Sequence, residues 1–332
     1  MSGLVSTVAW SPDGSLLATT PGDPQGTDDT ARLWTAAGLP VATLSGHTGL
    51  VDCLAWSMDS QLLASAGQDG SVRLWDRKGK LIRVLPGIDP VFSLAWSPDD
   101  TILATGAIKF PPSSATGLAQ LPGIVKLWRP DGTLLHTVGT QSTGGKFLNL
   151  AWSPDGSLLA AGAGDYASWH ADGSSVGVLY PPGGSPAWAM AWSPDSATVA
   201  LGDESGVLLL VGPTGTNRGS GQFQGDINAL SYTRDGRGLV VGTIGRIRLV
   251  ASTDPAQVMW SAATADAGHV AWSPDGQRLA IAITNGLAIL GLDGSGVAVL
   301  AGCTGSPVAF AWTGAVLAAA TDQGFLCSWR SP

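Results

Sequence analysis

AWSPDG at Ala151–Gly156 decides the reading of this chain, because the chain repeats it. The same hexad stands at Ala9–Gly14 and Ala271–Gly276, with AWSMDS at Ala55–Ser60, AWSPDD at Ala95–Asp100 and AWSPDS at Ala191–Ser196. Two degenerate copies complete the series: SYTRDG at Ser231–Gly236 and AWTG at Ala311–Gly314. The aromatic residues fall at 10, 56, 96, 152, 192, 232, 272 and 312, so successive separations are 46, 40, 56, 40, 40, 40 and 40. A basal period of 40 with two insertions marks a repeat architecture, and it overrides the two-domain expectation that 332 residues would otherwise carry.

Each unit has the same physics. Val91-Phe-Ser-Leu-Ala-Trp96 alternates as a strand with one buried face does. Pro-Asp-Gly then makes a tight turn: Pro fixes φ, Asp bonds its own backbone and Gly accepts a positive φ. A second strand such as Leu158–Gly162 follows, then a third (Val72–Trp75, Val125–Trp128) and a weaker fourth (Leu81–Leu85). Four antiparallel strands cannot bury both faces alone, whereas stacking such sheets around an axis buries them and protects most edges. The expected fold is all-β: an eight-bladed β-propeller forming a single domain over 1–332, with blades starting near 5, 51, 91, 147, 187, 227, 267 and 307.

The second unit carries Gly46-His47, AWSMDS, Ser65-Ala-Gly-Gln-Asp69-Gly70 and Val72-Arg-Leu-Trp75-Asp76. On these residues the chain resembles the WD-repeat family over nearly its whole length. The third-strand Trp recurs at Trp34, Trp128, Trp169 and Trp329. Units with WSPDG but no Trp-Asp ending are also similar to the repeats of periplasmic six-bladed propellers. The resemblance implies that His47, Ser65, Asp69 and Trp75 form a structural hydrogen-bond network inside the blade. By residue type alone, His47, Ser65 and Asp69 would fit a Ser-His-Asp hydrolase, but there is no G-x-S-x-G elbow. The expectation is a non-enzymatic protein with no catalytic residues and no cofactor.

Charged residues make up 13%, against roughly 25% in an ordinary soluble domain. A surface this neutral fits either burial in a complex or a compact β protein that needs few charges. A net charge of −8 without a Lys/Arg cluster argues against nucleic acid. No segment reads as a signal peptide or a membrane span. Cys53, Cys303 and Cys327 have no CxxC spacing, so reduced thiols, no zinc and a cytoplasmic location are expected. Asp23, Asp28 and Asp29 read as a solvated acidic loop rather than a cation site, His136, His170 and His269 as incidental, and Gly219–Gly225 as a turn rather than a phosphate cradle.

The departures from period 40 are Thr20–Thr30, Ile108–Gly123 and Gly139–Lys146. With strands running as in the WD-repeat family, all three belong to the face called the top, while the Pro-Asp-Gly turns keep the other face short. Clustered insertions on a rigid scaffold point to a binding surface for a protein partner. The family resemblance also directs attention to the residue four before each repeated aromatic: Ser6, Asp52, Phe92, Leu148, Trp188, Asn228, Gly268 and Val308. Phe92 and Trp188 would be aromatic anchors there, joined by Phe110 and Lys109 from the insertion and by Gln68 and Glu204 as rim hydrogen-bonders. Packing of Trp188 between blades is the competing reading. The last unit lacks sequence for an outer strand, so Phe325–Trp329 is expected at an open edge that invites self-association or strand addition. Three readings follow: an interaction scaffold, a ring that oligomerises through that edge, or a small-molecule-binding propeller.

Overall fold

The computed structural model describes residues 5–21, 27–87, 89–108, 123–139, 149–162, 166–180, 187–264, 266–283, 286–314, 316–321 and 326–330. Among these, all regular structure is β-strand, arranged as eight successive sheets, the blades of a β-propeller. Seven blades have four strands hydrogen-bonded in chain order, and the eighth has three. First strands begin at Val5, Val51, Val91, Asn149, Ala187, Ile227, Asp266 and Pro307. The expected starts agree closely; residues 147 and 148 lie outside the described residues. The chain divides into two compact units, Met1–Trp96 with His269–Pro332, and Ser97–Gly268. Blades 1, 2 and 8 lie in the first unit, and blades 4, 5 and 6 in the second.

In the second blade burial peaks at the second strand, is partial on the first and third, and is lost over most of the fourth. The second strands Leu103–Ile108 and Gly238–Thr243 are buried throughout, whereas the fourth strand Leu81–Leu85 is exposed at all but its last residue. An inner strand covered on both faces therefore reads as a small-apolar run, LATGAI or GLVVGT, rather than as an alternation. In the first unit, Leu16, Leu33 and Leu44 of blade 1 cluster with Trp56, Leu63 and Trp75 of blade 2. In the second, Leu208, Leu210 and Phe223 of blade 5 meet Ile227, Tyr232 and Leu239 of blade 6. Each such side chain contributes about 2 kcal/mol by leaving water. The glycine-rich stretch corrects its sequence reading: Gly219 to Gln222 belong to the fourth strand Asn217–Gln222, with Gly221 paired to Leu208. An outermost strand is held by backbone bonds along one edge, so missing side chains cost it little packing.

The serine–aspartate turns are uniform. Ser11 Oγ donates to Asp13 Oδ1 at 2.7 Å and accepts the Leu16 N–H at 3.0 Å, while Asp13 Oδ1 accepts the Ser15 N–H at 3.0 Å. The hydroxyl–carboxylate bond recurs at Ser57–Asp59, Ser97–Asp99, Ser153–Asp155, Ser193–Asp195, Thr233–Asp235 and Ser273–Asp275. The next residue has positive φ, which Gly14, Gly156, Gly236 and Gly276 adopt freely, but Ser60, Asp100 and Ser196 hold it too, at 63°, 59° and 60°. A side chain there costs about 1 kcal/mol. Ser60 and Ser196 gain a bond that glycine lacks: Ser60 Oγ accepts the Asp13 N–H at 3.0 Å, and Ser196 Oγ accepts the Asp155 N–H at 3.1 Å. Each joins its turn to that of the preceding blade.

The repeated Ala-Trp pair does the same at the strands. Trp56 Nε1 donates to Ala9 O at 3.1 Å, Trp96 to Ala55 O at 3.1 Å, Trp192 to Ala151 O at 3.0 Å and Trp312 to Ala271 O at 3.0 Å. Trp10 donates to Ala311 O at 3.1 Å, linking blade 1 to blade 8 across a separation of 301 residues. Blade 8 keeps Leu326–Arg330 as its outermost strand. Here the expectation of three free thiols is corrected: Cys303 is disulfide-bonded to Cys327, with Cα atoms 6.0 Å apart, and only Cys53 is free. The pairing is a matter of spatial approach across 24 residues, which cysteine spacing does not reveal. With it, cysteine usage no longer argues for a reducing compartment. The bond and the Trp329 indole, which donates to Ala301 O at 3.2 Å, both tie the outer strand of blade 8 to the segment that precedes the blade.

Trp10→Phe keeps an aromatic ring but leaves the Ala311 carbonyl without its donor. The expected loss is about 1–2 kcal/mol. It is read as a lowered urea midpoint with an unchanged denaturant slope.

Candidate partner-binding site

The structure brings His47, Ser65, Asp69 and Trp75 into one line. Trp75 Nε1 donates to Ser65 Oγ at 2.8 Å, and Ser65 Oγ lies 2.8 Å from His47 Nε2. His47 Nδ1 lies 2.9 Å from Asp69 Oδ2. With the carboxylate on Nδ1, that nitrogen carries the proton, Nε2 accepts from the Ser65 hydroxyl, and every donor finds an acceptor. Asp69 also accepts the Thr48 N–H at 3.0 Å and the Ser71 N–H at 2.9 Å. Gly46 precedes the histidine with φ of 127°, and a Cβ there would meet the Arg73 guanidinium at 2.9 Å. The Arg73 guanidinium in turn donates to the Gly46 carbonyl.

This line has the residue order and the bond directions of an acyl-transfer triad. Ser65, however, is 0% exposed, and its oxygen already accepts from Trp75 while its hydroxyl is committed to His47. An attacking oxygen needs room to meet a substrate, and this one is fully enclosed with the Trp75 indole already on it. Burial lowers the His47 pKa below its usual 6.5, against the opposing pull of Asp69. Burial would raise Asp69, but hydrogen bonds from Thr48, Ser71 and His47 outweigh it and hold the carboxyl below its ordinary range. The Trp-to-hydroxyl part of the line survives elsewhere without the histidine: Trp34 donates to Thr19 Oγ1 at 3.0 Å and Trp128 to Thr105 Oγ1 at 3.1 Å. Those threonines escaped the sequence reading; a hydroxyl at the second-strand position of Ser65 was their signal.

Among the residues expected to meet a partner, Asp52, Gln68 and Phe92 lie in the first unit. Asp52 and Phe92 are each the second residue of a first strand, Val51–Trp56 and Val91–Trp96, and both are half-buried. The two strands pack together, and the Cys53 thiol points at the Val91 carbonyl, 3.8 Å away. Burial raises the Asp52 pKa, partly offset by a hydrogen bond from the exposed Gln68 side chain. Asp52 Oδ2 is enclosed with no hydrogen-bond partner among the described residues. From blade 1, Thr7 Oγ1 donates to the Asp52 carbonyl at 3.2 Å.

Trp188, Asn228 and Glu204 lie in the second unit. Trp188 and Asn228 are half-buried and Glu204 is exposed. The Trp188 carbonyl accepts from Asn149 Nδ2 at 3.0 Å, and Asn149 also donates to Tyr166 Oη at 2.9 Å. Tyr166 Oη donates in turn to Ala187 O at 3.0 Å, so the buried Tyr166 and the half-buried Asn149, both absent from the sequence reading, hold the backbone at Trp188. Burial pushes the Tyr166 hydroxyl up to about 12, which keeps it protonated and donating. Lys109, Phe110 and Leu148 lie outside the described residues. In the first insertion, Asp28 is not a bare solvated carboxylate: it pairs with Arg32 at 2.6 Å and accepts from Thr30 Oγ1 at 2.6 Å.

Residues 2–35, 38–76, 79–109 and 132–174 match the family model described as WD domain, G-beta repeat. The chain carries WD repeats, matched in four stretches between residues 2 and 174, and folds as an eight-bladed propeller. It is 33% identical to the WD repeat-containing protein WDS homolog of Arabidopsis thaliana over 123 residues, which are 34% of this chain and 21% of that protein. It is 29% identical to the small ribosomal subunit protein RACK1 of Caenorhabditis elegans over 167 residues, 48% of each chain. The chain thus spans less than half the length of these curated relatives. Among solved structures, Sqt1 of Chaetomium thermophilum superposes with a TM-score of 0.83 at 19% identity, covering 100% of this chain and 97% of its own. The same protein bound to the N-terminus of ribosomal protein L10 has a TM-score of 0.82 at 20% identity, covering 99% and 97%. At these identities the structural likeness establishes the WD-repeat fold.

The His47 line makes stability depend on pH with a definite sign. A histidine whose folded pKa is depressed stabilises the fold fully above 6.5, and this contribution is lost as pH falls below that value, because the unfolded chain takes up the proton first. Melting temperature is therefore expected to fall between about pH 7 and pH 5 in the wild type. The drop should be smaller in His47→Gln, whose melting temperature at pH 7 is itself lower. Calorimetry at the two pH values reads both effects, and an equal slope in the two proteins contradicts the assignment.

Proposed function

We propose that this WD-repeat protein is a non-enzymatic interaction platform that takes a protein partner on the residues opening its first strands and on the adjoining loops. The observation that carries this reading is Phe92 beside Asp52. A half-exposed aromatic ring stands on the strand next to a carboxyl whose one oxygen has no donor within the described chain. A partner side chain covering Phe92 would bury the exposed part of its ring, and buried aromatic anchors of this kind dominate interface energetics. Trp188 with Asn228 and Glu204 offers a second such place in the other unit. A protein of the same fold, Sqt1, holds the N-terminus of a ribosomal protein, which supports a protein segment as the class of partner. The identity of the partner, and a cytoplasmic setting like that of a ribosome-associated relative, belong to the same proposal.

A second reading rests on the three-stranded blade. Leu326–Arg330 is the outer strand of its sheet, and an unpaired outer edge can accept a strand from a second copy. Light scattering separates this reading from the first: a dimer lost in Ser328→Pro favours the edge, and a monomer removes it.

For the leading reading, affinity capture compares wild type with Phe92→Ala and Trp188→Ala, each first shown to melt near the wild-type temperature. A partner retained by wild type and weakened about tenfold or more by either variant is the expected result. Equal recovery with all three proteins would sink the aromatic-anchor proposal.

A further inference from the structure

Neighbouring turns of this propeller are closed over a seam, and the residue just beyond the third strand decides what fills it. Between blades 1 and 2 that residue is Arg77. Its guanidinium sits 2.6 Å from Asp13 Oδ2, donates to the Ser60 carbonyl at 3.0 Å and donates to Ser15 Oγ at 2.6 Å. Burial would raise the Asp13 pKa, but hydrogen bonds from Ser11, Ser15 and Arg77 hold it far below the usual carboxylate range. The arginine is a built-in ligand for the turn carboxylate of the preceding blade.

The strand register finds the same place between blades 5 and 6. Trp75 pairs with Leu63, and Val250 pairs with Leu239; each Leu stands seven residues beyond its repeat aromatic, Trp56 or Tyr232. Arg77 therefore corresponds to Ser252, Asp13 to Asp195 and Ser60 to Gly236. A serine stands in the place of Arg77 and a glycine in that of Ser60, and the seam is open: a cavity of about 520 Å³, lined by Asp195, Arg218, Tyr232, Asp235 and Ser252 among others. All of these belong to the unit Ser97–Gly268.

Two further observations show what is missing. Asp195 Oδ1 accepts from Ser193 Oγ at 2.5 Å and from the Ala197 N–H at 3.0 Å. These bonds and, to a lesser extent, the Arg218 charge hold its carboxyl below the ordinary range, but among the described residues no guanidinium is bonded to it as Arg77 is to Asp13. Arg218 donates instead to Thr198 Oγ1 at 3.0 Å. Independently, Tyr232 is only 8% exposed, and its hydroxyl is enclosed with no hydrogen-bond partner among the described residues. Its neighbour Trp192 satisfies the corresponding indole on Ala151 O. The Tyr232 hydroxyl stays protonated, pushed up by burial and by the nearby Asp195 charge, so it is a neutral group awaiting a partner.

We propose that this cavity binds a guanidinium group from outside the chain, seated on Asp195 in the way Arg77 is seated on Asp13. Two carboxylates against one arginine in the lining disfavour an anion. A planar fork suits a carboxylate bordered by hydroxyl acceptors, and the flat faces of Pro194 and Tyr232 also line the site. The volume falls in the range of small-ligand pockets, with room for a whole arginine side chain. This site is independent of the Phe92 and Trp188 surface.

The test is calorimetric titration of the full chain with L-arginine methyl ester, citrulline methyl ester (its neutral isostere), lysine methyl ester and the peptide Gly-Arg-Gly amide. The arginine ester is expected to bind about tenfold or more tightly than either the citrulline or the lysine ester. Asp195→Asn should weaken it by a similar factor. Ser252→Arg should abolish binding and raise the melting temperature, because the new side chain fills the seam as Arg77 does. Should Asp195→Asn fail to fold, Ser252→Arg decides alone. Tighter binding of the peptide than of the ester assigns the group to a protein partner, and equal binding assigns it to a free small guanidinium compound; both support the site. No heat with any probe, equal affinity for the citrulline or lysine ester, or full affinity in Ser252→Arg would each overturn it.

Discussion

A buried indole N–H calls for an acceptor, and at Trp10, Trp56, Trp96, Trp192 and Trp312 it finds the alanine carbonyl one blade back. Trp272, whose preceding unit has Ser231 in place of the alanine, keeps its Nε1 enclosed without a partner among the described residues. That constraint explains why the repeated unit is Ala-Trp rather than any aromatic after any small residue. The alanine leaves its carbonyl open to the approaching ring, and the tryptophan places a donor at the end of a large apolar surface. Each bond is modest, about 1 kcal/mol net, but an unmade one would leave two buried polar groups. The bond from Trp10 to Ala311 is the same device applied across the chain's full length. It joins the first strands of blades 1 and 8 while the sheet of blade 8 keeps its own three strands.

The turns repeat this logic with shorter reach. A hydroxyl and a carboxylate two residues apart close the turn locally, and the residue after them is free to be glycine or to reach toward the preceding blade. Ser60 and Ser196 take the second course, accepting a left-handed backbone in exchange for a bond to Asp13 or Asp155. Small departures from AWSPDG are thus substitutions with partners. They are read only when both turns are seen together, which a repeat alignment of one chain does not provide.

Much of the fold was legible because a period of 40 is a physical spacing and not a statistical one. A blade needs four strands and three turns, and the Trp-to-Trp distance measures that directly, so the first strands of blades 1, 2, 3, 5, 6 and 8 begin where expected. What escaped had no local signature. Cys303 and Cys327 meet because one lies in the segment entering blade 8 and the other on its outer strand. Gly219 to Gln222 form a strand although their composition speaks for a turn, since the partner strand supplies the backbone bonds. The aromatic candidates Phe92 and Trp188 are each the second residue of a first strand and are half-buried. Phe110 and Lys109, placed from an insertion, lie outside the described residues.

The His47 line and the Tyr232 cavity make opposite points about the same kind of residue. Ser65, His47 and Asp69 have the identities, the distances and the bond directions of a catalytic relay, yet the serine is enclosed and bonded on both sides, to His47 and to Trp75. Asp195 and Tyr232 have no such order, yet they keep unused capacity beside an opening. Chemical potential for function lies in what a structure leaves unsatisfied, and residue type alone does not report it. In a repeat protein the comparison is internal: the seam between blades 1 and 2 shows the satisfied state, with Arg77 across Asp13, and the seam between blades 5 and 6 shows the same carboxylate with a serine where that arginine would be. Two exchanged residues, serine for Arg77 and glycine for Ser60, separate a seam that closes itself from the one proposed to take its cation from another molecule.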